Sequence, residues 1–103
     1  VNTSGTPSTA EHAADIQVDS LRKVALVKGI EIRLSPKELG ILQLLMKSPG
    51  RVFSREEILA EVWRGESCVG DRTVDVHIAH LRRKLGDEGV RVNNRQGYGY
   101  CFE

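Results

Sequence analysis

The side chains best suited to chemistry in this sequence are two histidines close together and two cysteines far apart. His77 and His80 lie three residues apart, so on a helix they would share one side and could hold a common ligand. Cys68 and Cys101 have no spacing typical of a metal site, and no HExxH, CxxC or nucleophile motif is present. We therefore expect two free thiols, with a disulfide between them as the alternative, and neither a metal, a cofactor nor enzymatic activity. Tight zinc binding would favour the alternative of a metal enzyme.

Positive charge is concentrated in residues 72–84, although the formal net charge of the chain is only +1. Projected at about 100° per residue, this segment has a narrow apolar stripe formed by Val74, Ile78, Leu81 and Leu85. The opposite stripe contains Arg72, Val76, Ala79 and Arg83, with His80 and Asp75 on its flanks. The segment is therefore predicted to be a helix with cations at both ends of its outer face and a small apolar centre.

Such a face suits the major groove of double-stranded DNA. Arg72 and Arg83 can bond phosphates or guanine edges, while Val76 and Ala79 can pack on thymine methyl groups. The alternative is an ordinary solvated basic helix face, because basic amphipathic helices are common. Asp75 would repel phosphate, so we expect it to orient a neighbouring arginine or to form a local ion pair.

Short strands are predicted before this helix, between residues 15 and 34. Apolar residues there occur in three runs separated by polar residues: Ile16 and Val18; Val24, Leu26 and Val27; and Ile30, Ile32 and Leu34. Lys28-Gly29 is a turn signal between the second and third runs. A small antiparallel sheet follows from this pattern.

Two capping boxes predict two further helices. Ser35-Pro36-Lys37-Glu38 starts the first helix and Pro49-Gly50 stops it, while Ser54-Arg55-Glu56-Glu57 starts the second and Gly65 ends it. Asp71 is expected to cap the third helix, which runs to about Leu85. Trp63 is expected to be partly in the core with an exposed edge.

Residues 90–93 and 98–102 are predicted to form a hairpin with a polar tip at 94–97. Arg95 at that tip could enter a minor groove or bind its phosphates, although an unremarkable polar turn is the alternative. The order of elements predicts an α+β fold: a winged helix-turn-helix with a small N-terminal antiparallel sheet, three helices and a C-terminal β-hairpin wing.

The length of 103 residues fits one domain, which we place at 15–103. Residues 1–14 are small and polar and are predicted to be a disordered linker or leader, which suggests that another domain precedes them. The sequence has neither a secretory signal nor an apolar run that could cross a membrane, so we expect a cytoplasmic protein.

The chain resembles the OmpR/PhoB family of response-regulator effector domains over about residues 15–103. The resemblance is carried by five motifs: Leu34-Ser35-Pro36-Lys37-Glu38-Leu39; Ser54-Arg55-Glu56-Glu57-Ile58-Leu59 with Val62-Trp63; Gly70-Asp71-Arg72-Thr73-Val74-Asp75-Val76-His77-Ile78; Leu81-Arg82-Arg83-Lys84-Leu85; and Gly97-Tyr98-Gly99-Tyr100-Cys101-Phe102.

The resemblance implies sequence-specific binding of double-stranded DNA by a bacterial transcription regulator, with helix 72–85 as recognition helix. Residues that fall where the family meets DNA on that helix are Arg72, Thr73, Val76, His77, Ala79, His80, Arg82 and Arg83; those that fall at backbone phosphates are Ser54, Arg55 and Trp63. Asn94, Arg95 and Gln96 form the expected wing contact on the minor groove or backbone.

The resemblance also implies partners. The loop Arg64, Gly65, Glu66, Ser67, Cys68, Val69 and Gly70 matches one that contacts RNA polymerase in some members. The family usually binds tandem direct repeats as a pair of copies and is switched by phosphorylation of an N-terminal receiver domain.

Three departures from the family pattern reduce the positive charge expected at the contact surface. Ala79-His80 stands where Ser or Arg followed by a cation is frequent, and Cys101 stands where Arg is frequent. The wing has Arg95 one place early, and on an alternating strand that shift turns the side chain to the other face. The departures bear on the DNA target and the affinity more than on the fold. Since some winged helices bind proteins through the same surface, a protein-interaction winged helix is retained as a rival, to be separated by salt-sensitive DNA affinity.

Overall fold

The computed structural model describes residues 16–64, 66 and 69–103, with the side chain of Asp71 left out. The predicted linker at 1–14 lies outside the described residues, and so do Gly65, Ser67 and Cys68 of the expected polymerase-contact loop. None of the helices in the described part combines the length and the apolar composition needed to cross a bilayer.

A three-stranded antiparallel sheet opens the described chain, as predicted. It consists of β1 (Ile16–Asp19), β2 (Val24–Val27) and β3 (Ile30–Arg33) in sequential order. Lys28 and Gly29 both have positive φ, at 52° and 83°, and they join Val27 to its partner Ile30. A two-residue turn with two positive φ angles matches the twist of its strands, which explains the turn at this point.

The first two helices begin at the predicted capping boxes. In α1 (Pro36–Lys47) the Ser35 hydroxyl accepts from the Glu38 amide at 3.2 Å, and the Glu38 carboxylate accepts from the Ser35 amide at 2.9 Å. In α2 (Arg55–Val62) Ser54 and Glu57 make the same reciprocal pair. The caps satisfy amides that have no partner within the helix.

Two predicted helix boundaries were wrong. Helix α2 ends at Val62, before the expected stop at Gly65, because Trp63 leaves the helix and turns into the core, where it is 5% exposed. Helix α3 (Asp71–Leu85) has Gly70 at its cap position with no side-chain hydrogen bond there, so Asp71 is the first helical residue and not the cap.

The hairpin begins later than predicted. Gly86–Arg91 forms a 3₁₀ helix, and the strands are β4 (Val92–Arg95) and β5 (Gly99–Phe102). The 3₁₀ turn folds back on α3 so closely that a Cβ at Gly89 would lie 2.3 Å from the Arg82 carbonyl oxygen. This approach keeps residues 90 and 91 out of the strand.

The two halves of the chain meet around one core. Phe53, between α1 and α2, pairs with Tyr100 of β5 through two backbone hydrogen bonds of 2.8 and 2.9 Å. Buried residues come from both sheets and all three helices, with Ile16, Leu42, Ile58 and Phe102 among those at most 1% exposed. The architecture is the predicted α+β winged helix, with α3 as its third helix and β4–β5 as its wing.

Candidate nucleic-acid interface

Helix α3 has the two faces that its sequence predicted. Val74, Ile78, Leu81 and Leu85 are all at most 3% exposed and join the core. The opposite face is exposed and contains Arg72, Val76, Ala79, His80 and Arg83. Val76, at the centre of this face, is 50% exposed even though it is apolar. We call these five residues the outer face of α3.

The cations of α3 differ in what they already contact. Lys84 donates to the buried carboxylate of Glu38 at 2.7 Å, and the Arg82 Nε–H points at the Gly89 carbonyl oxygen at 3.4 Å. No ion pair or hydrogen bond from the side chains of Arg72 and Arg83 occurs within the described part of the chain. Their whole guanidinium groups are available to phosphates, while Arg82 uses its Nε and Lys84 is committed to the fold.

His77 lies at the edge of the outer face and is half-buried. Its Nδ1 lies 2.8 Å from the Thr73 carbonyl oxygen, and since a carbonyl can only accept, Nδ1 carries the proton there. The imidazole stands edge-on to the Trp63 ring with centroids 5.1 Å apart. Among the described residues, no group of three or more side chains could hold a metal ion. The contacts with Thr73 and Trp63 make His77 a packing residue whose Nε2 takes no part in the bond to Thr73.

Asp75 joins three elements at a single carboxylate oxygen. Arg55 Nε, from the first turn of α2, donates to Asp75 Oδ1 at 2.8 Å, and the Tyr100 hydroxyl, from β5, donates to the same atom at 2.7 Å. The expected local ion pair of Asp75 is therefore confirmed. We call Asp75, Arg55 and Tyr100 the carboxylate junction.

The contacts within the carboxylate junction change the pKa of all three groups. Burial raises the pKa of Asp75, but the hydrogen bonds from Arg55 and Tyr100 outweigh it and the pKa is lowered overall. The hydrogen bond to Asp75 raises the pKa of Arg55, and burial together with the same carboxylate raises that of Tyr100. Asp75 and Arg55 therefore stay ionised, and Tyr100 stays a neutral hydrogen-bond donor, near neutral pH.

The other residues expected at backbone phosphates have structural partners. Ser54 caps α2 through its hydroxyl oxygen, which leaves the hydroxyl proton able to donate outward. Trp63 is only 5% exposed, lying under His77 with Lys37 Nζ 5.3 Å from its ring centroid. Arg55 uses Nε for Asp75, so its two terminal amino groups are those left for a phosphate. DNA contact by these residues stays a prediction.

The wing turn lies one residue later than expected. The Tyr98 amide donates to the Arg95 carbonyl oxygen at 2.8 Å, so the turn spans 95–98, with Gly97 at φ 87° as a type II turn requires. Asn94 and Arg95 lie within β4, paired with Tyr100 and Gly99. Gln96 is exposed in the turn, whereas the Arg95 guanidinium contacts the Glu103 carboxylate.

The described part of the 64–70 loop lies against α1. Lys37 Nζ contacts the Glu66 carboxylate and the Val62 carbonyl oxygen, the latter at 3.2 Å. Arg64 and Glu66 are exposed, Arg64 donates to the Glu61 carbonyl oxygen at 3.1 Å, and Val69 packs on the core. This anchoring gives the loop a fixed start next to the end of α2.

Sequence reasoning missed three residues near this surface. Tyr100 was known only as part of a motif, and its bond to Asp75 links residues 25 apart in sequence. Tyr98, 77% exposed, is presented by the wing turn. Glu103 binds Arg95, a contact visible only once the strand register is known.

Comparisons with known proteins agree with this architecture. Residues 29–102 match the family described as "Transcriptional regulatory protein, C terminal". The chain is 39% identical over 98 residues to the phosphate regulon transcriptional regulatory protein PhoB of Rhizobium meliloti, covering 93% of this chain and 43% of the relative. It is 36% identical over 102 residues to the transcriptional regulatory protein SrrA of Staphylococcus aureus, covering 89% and 42%. The chain thus spans less than half the length of these relatives.

Two solved structures have the same fold over nearly their whole length. The DNA-binding domain of the response regulator AdeR, solved in complex with an intercistronic region, superposes with a TM-score of 0.79 at 28% identity, covering 89% of this chain and 97% of that one. The C-terminal DNA-binding domain of RstA from Klebsiella pneumoniae has a TM-score of 0.74 at 29% identity, with 95% and 94% covered. This chain belongs to the OmpR/PhoB-type family of transcriptional regulatory protein C-terminal domains, a family of regulators and not of enzymes.

Proposed function

We propose that this chain is the output domain of a bacterial two-component transcription regulator that binds double-stranded DNA sequence-specifically, with α3 in the major groove. The single observation that carries the proposal is the outer face of α3. Arg72 and Arg83 stand at its two ends without an internal ion pair in the described structure, and small or apolar side chains lie between them.

This arrangement matches what a major groove offers. Two cations about three turns apart on one helix face can bond phosphates or guanine edges, and Val76 and Ala79 allow close approach to thymine methyl groups. His80, exposed beside them, can donate to a base edge or a phosphate. Thr73, His77 and Arg82 border this face, and Ser54 and Arg55 at the start of α2 supply additional donors for the DNA backbone.

The wing extends the contact to a second groove. Asn94 and Gln96 can hydrogen-bond in a minor groove or on the backbone beyond it. The carboxylate junction supports this assignment, because it ties the wing strand directly to the recognition helix through the 2.7 Å bond between Tyr100 and Asp75. The two elements therefore approach DNA as one unit.

Three partners beyond DNA are part of the proposal. A second copy of the chain binds an adjacent direct repeat, RNA polymerase contacts the 64–70 loop anchored by Lys37, and a receiver domain in the full-length protein is joined through residues 1–14. The support is the family membership and the greater length of the relatives. Since its DNA target would be the bacterial chromosome, the protein acts in the cytoplasm.

Selection of bound duplexes from a random DNA pool tests the proposal. We expect enrichment of direct repeats about one helical turn apart, with an affinity that falls steeply as salt rises, because each neutralised phosphate releases counterions. Absence of enrichment together with salt-insensitive binding to a protein would favour the protein-interaction rival instead. A scrambled duplex of the same length provides the non-specific reference.

A further inference from the structure

The side chains of the wing alternate between its two faces. Directly paired residues share a face, so Asn94 lies with Tyr100 and Val92 with Phe102, while Asn93 lies with Cys101. The first face is the one turned to the helices, since Tyr100 bonds Asp75 on α3 and Phe102 is in the core cluster. Cys101 is buried but is not part of that cluster.

Arg95 belongs to the face turned away from the helices. It lies two residues from Asn93 on the same strand, and both side chains reach Glu103: Asn93 Nδ2 donates to Oε1 at 3.0 Å, and Arg95 donates to Oε2. The Glu103 backbone is fixed as well, because its amide donates to the Arg91 carbonyl oxygen at 2.8 Å and its own carbonyl accepts from Arg91 at 3.0 Å. Each carboxylate oxygen of Glu103 therefore has a donor.

This contact cancels the charge of the wing. Residues 92–103 contain one cation, Arg95, and one anion, Glu103, and the two are paired. Interaction with Cys101 and attraction by Glu103 raise the pKa of Arg95, so the guanidinium remains charged and attracted to this site. Both side chains are nearly half exposed, so the pair is accessible to a competing anion.

We infer that Glu103 is an affinity-determining residue of the wing: its carboxylate occupies Arg95 in place of a DNA phosphate and leaves the uncharged Asn94, Gln96 and Tyr98 as the groups presented to DNA. The inference rests on the proposed DNA binding. A carboxylate and a phosphate diester offer an arginine similar pairs of acceptor oxygens, so they compete for the same guanidinium. The wing of this chain then contributes hydrogen bonds with no counterion release.

A double-mutant cycle on Glu103 and Arg95 tests this inference, with the enriched duplex described above and fluorescence anisotropy at several salt concentrations. Glu103→Gln keeps the shape of the side chain but removes the negative charge that pairs with Arg95. We expect the affinity to rise between about threefold and tenfold and the salt slope to steepen by up to about 0.9, as for one added phosphate contact. Arg95→Ala in the unchanged background should alter affinity less than about twofold, and it should abolish the gain in the Glu103→Gln background.

Glu31→Gln is the matched control, because it removes the same charge, which also pairs with an arginine, Arg22, but on the β1–β3 sheet. An equal gain in this control, or no gain in Glu103→Gln, would overturn the inference. So would a large loss from Arg95→Ala alone, which would place Arg95 on DNA already. If the unchanged chain binds no DNA at any salt concentration, the proposed function itself fails; Trp63 fluorescence verifies that every variant is folded.

Discussion

Asp75 places a negative charge beside a surface that we expect to meet phosphates, which taken alone would weaken binding. Its contacts explain why the charge is useful. Both donors that it holds, Arg55 and the Tyr100 hydroxyl, come from elements other than α3. The carboxylate therefore links α2 and the wing strand to the recognition helix, and it engages Nε of Arg55, which leaves the two terminal amino groups for other partners.

Replacement of Asp75 by Asn gives two opposite expectations. Simple electrostatics predicts tighter DNA binding, since one negative charge is removed. We expect weaker binding, by between about threefold and tenfold, because Arg55 loses the partner that orients it and with it about one phosphate contact. Affinity titrations of Asp75→Asn beside the exposed-acid control Asp87→Asn decide between them, and a rise in affinity with Asp75→Asn would contradict the positioning role.

Gly99 is a second residue whose role is defined by its surroundings. A Cβ at this position would lie 2.0 Å from the Phe53 carbonyl oxygen, and the φ angle of 145° is one that side chains rarely adopt. Glycine is thus required where β5 meets the connection between α1 and α2. This close approach accompanies the backbone pairing of Tyr100 with Phe53.

We expect Gly99→Ala to lower the free energy of unfolding by about 2–4 kcal/mol, from the combined strain of φ and overpacking. Gly50→Ala is the control, because Gly50 also has a positive φ, 87°, but has open space around its Cβ position. Its cost should be about 1 kcal/mol. Urea unfolding followed by Trp63 fluorescence measures both, and equal losses would show that the contact with Phe53 is unimportant.

At the scale of elements, α1 and α3 are joined by an ion pair between the buried carboxylate of Glu38 and the partly exposed ammonium of Lys84. Glu38, 3% exposed, accepts from Lys84 near the end of α3 and from the Ser35 amide at the start of α1. Burial raises the pKa of Glu38, but these hydrogen bonds and the charge of Lys84 outweigh it, so the pKa is lowered overall. The carboxylate both caps one helix and holds the other.

A lowered pKa in the folded chain makes this contribution depend on pH. The stabilisation is fully present above the usual glutamate value of 4.5 and is lost as the pH falls through the lower pKa of the folded state. We expect Glu38→Gln to cost about 1–3 kcal/mol at pH 7, and the difference from the unchanged chain to shrink below about pH 4. Unfolding curves from pH 7 to pH 3 measure it, and a constant difference would contradict the role of the carboxylate charge.

The elements that could be predicted from sequence are those determined locally. Both capping boxes, the Lys28-Gly29 turn and the buried stripe of α3 follow from neighbouring residues, and all are confirmed. The start of the wing could not be predicted, since it depends on the approach of Gly89 to the Arg82 carbonyl. The partners of Arg95 and Tyr100 depend on strand register and on the packing of β5, which no local pattern contains.

At the scale of the whole molecule, the arrangement of charge matters more than its total of +1. The two sheets lie at opposite ends of the sequence, and the cations of the N-terminal sheet include the exposed Arg22 and Arg33. Removal of cations from that sheet changes the net charge as much as removal from α3 does. A comparison of the two regions therefore separates a local DNA contact from general attraction to a polyanion.

The role of α3 as the DNA-reading helix is tested most directly by the affinity of the Arg72→Ala/Arg83→Ala double variant for the enriched duplex. The affinity is measured at several salt concentrations, beside the Arg22→Ala/Arg33→Ala control. If α3 binds DNA, the first variant should lose at least about tenfold in affinity and reduce the salt slope by about two. The control should remain within about twofold of the unchanged chain, because Arg22 and Arg33 belong to the N-terminal sheet and its turn and not to the outer face of α3. Equal losses in the two variants, or a loss confined to the control, would contradict the assignment of α3 as the DNA-reading helix.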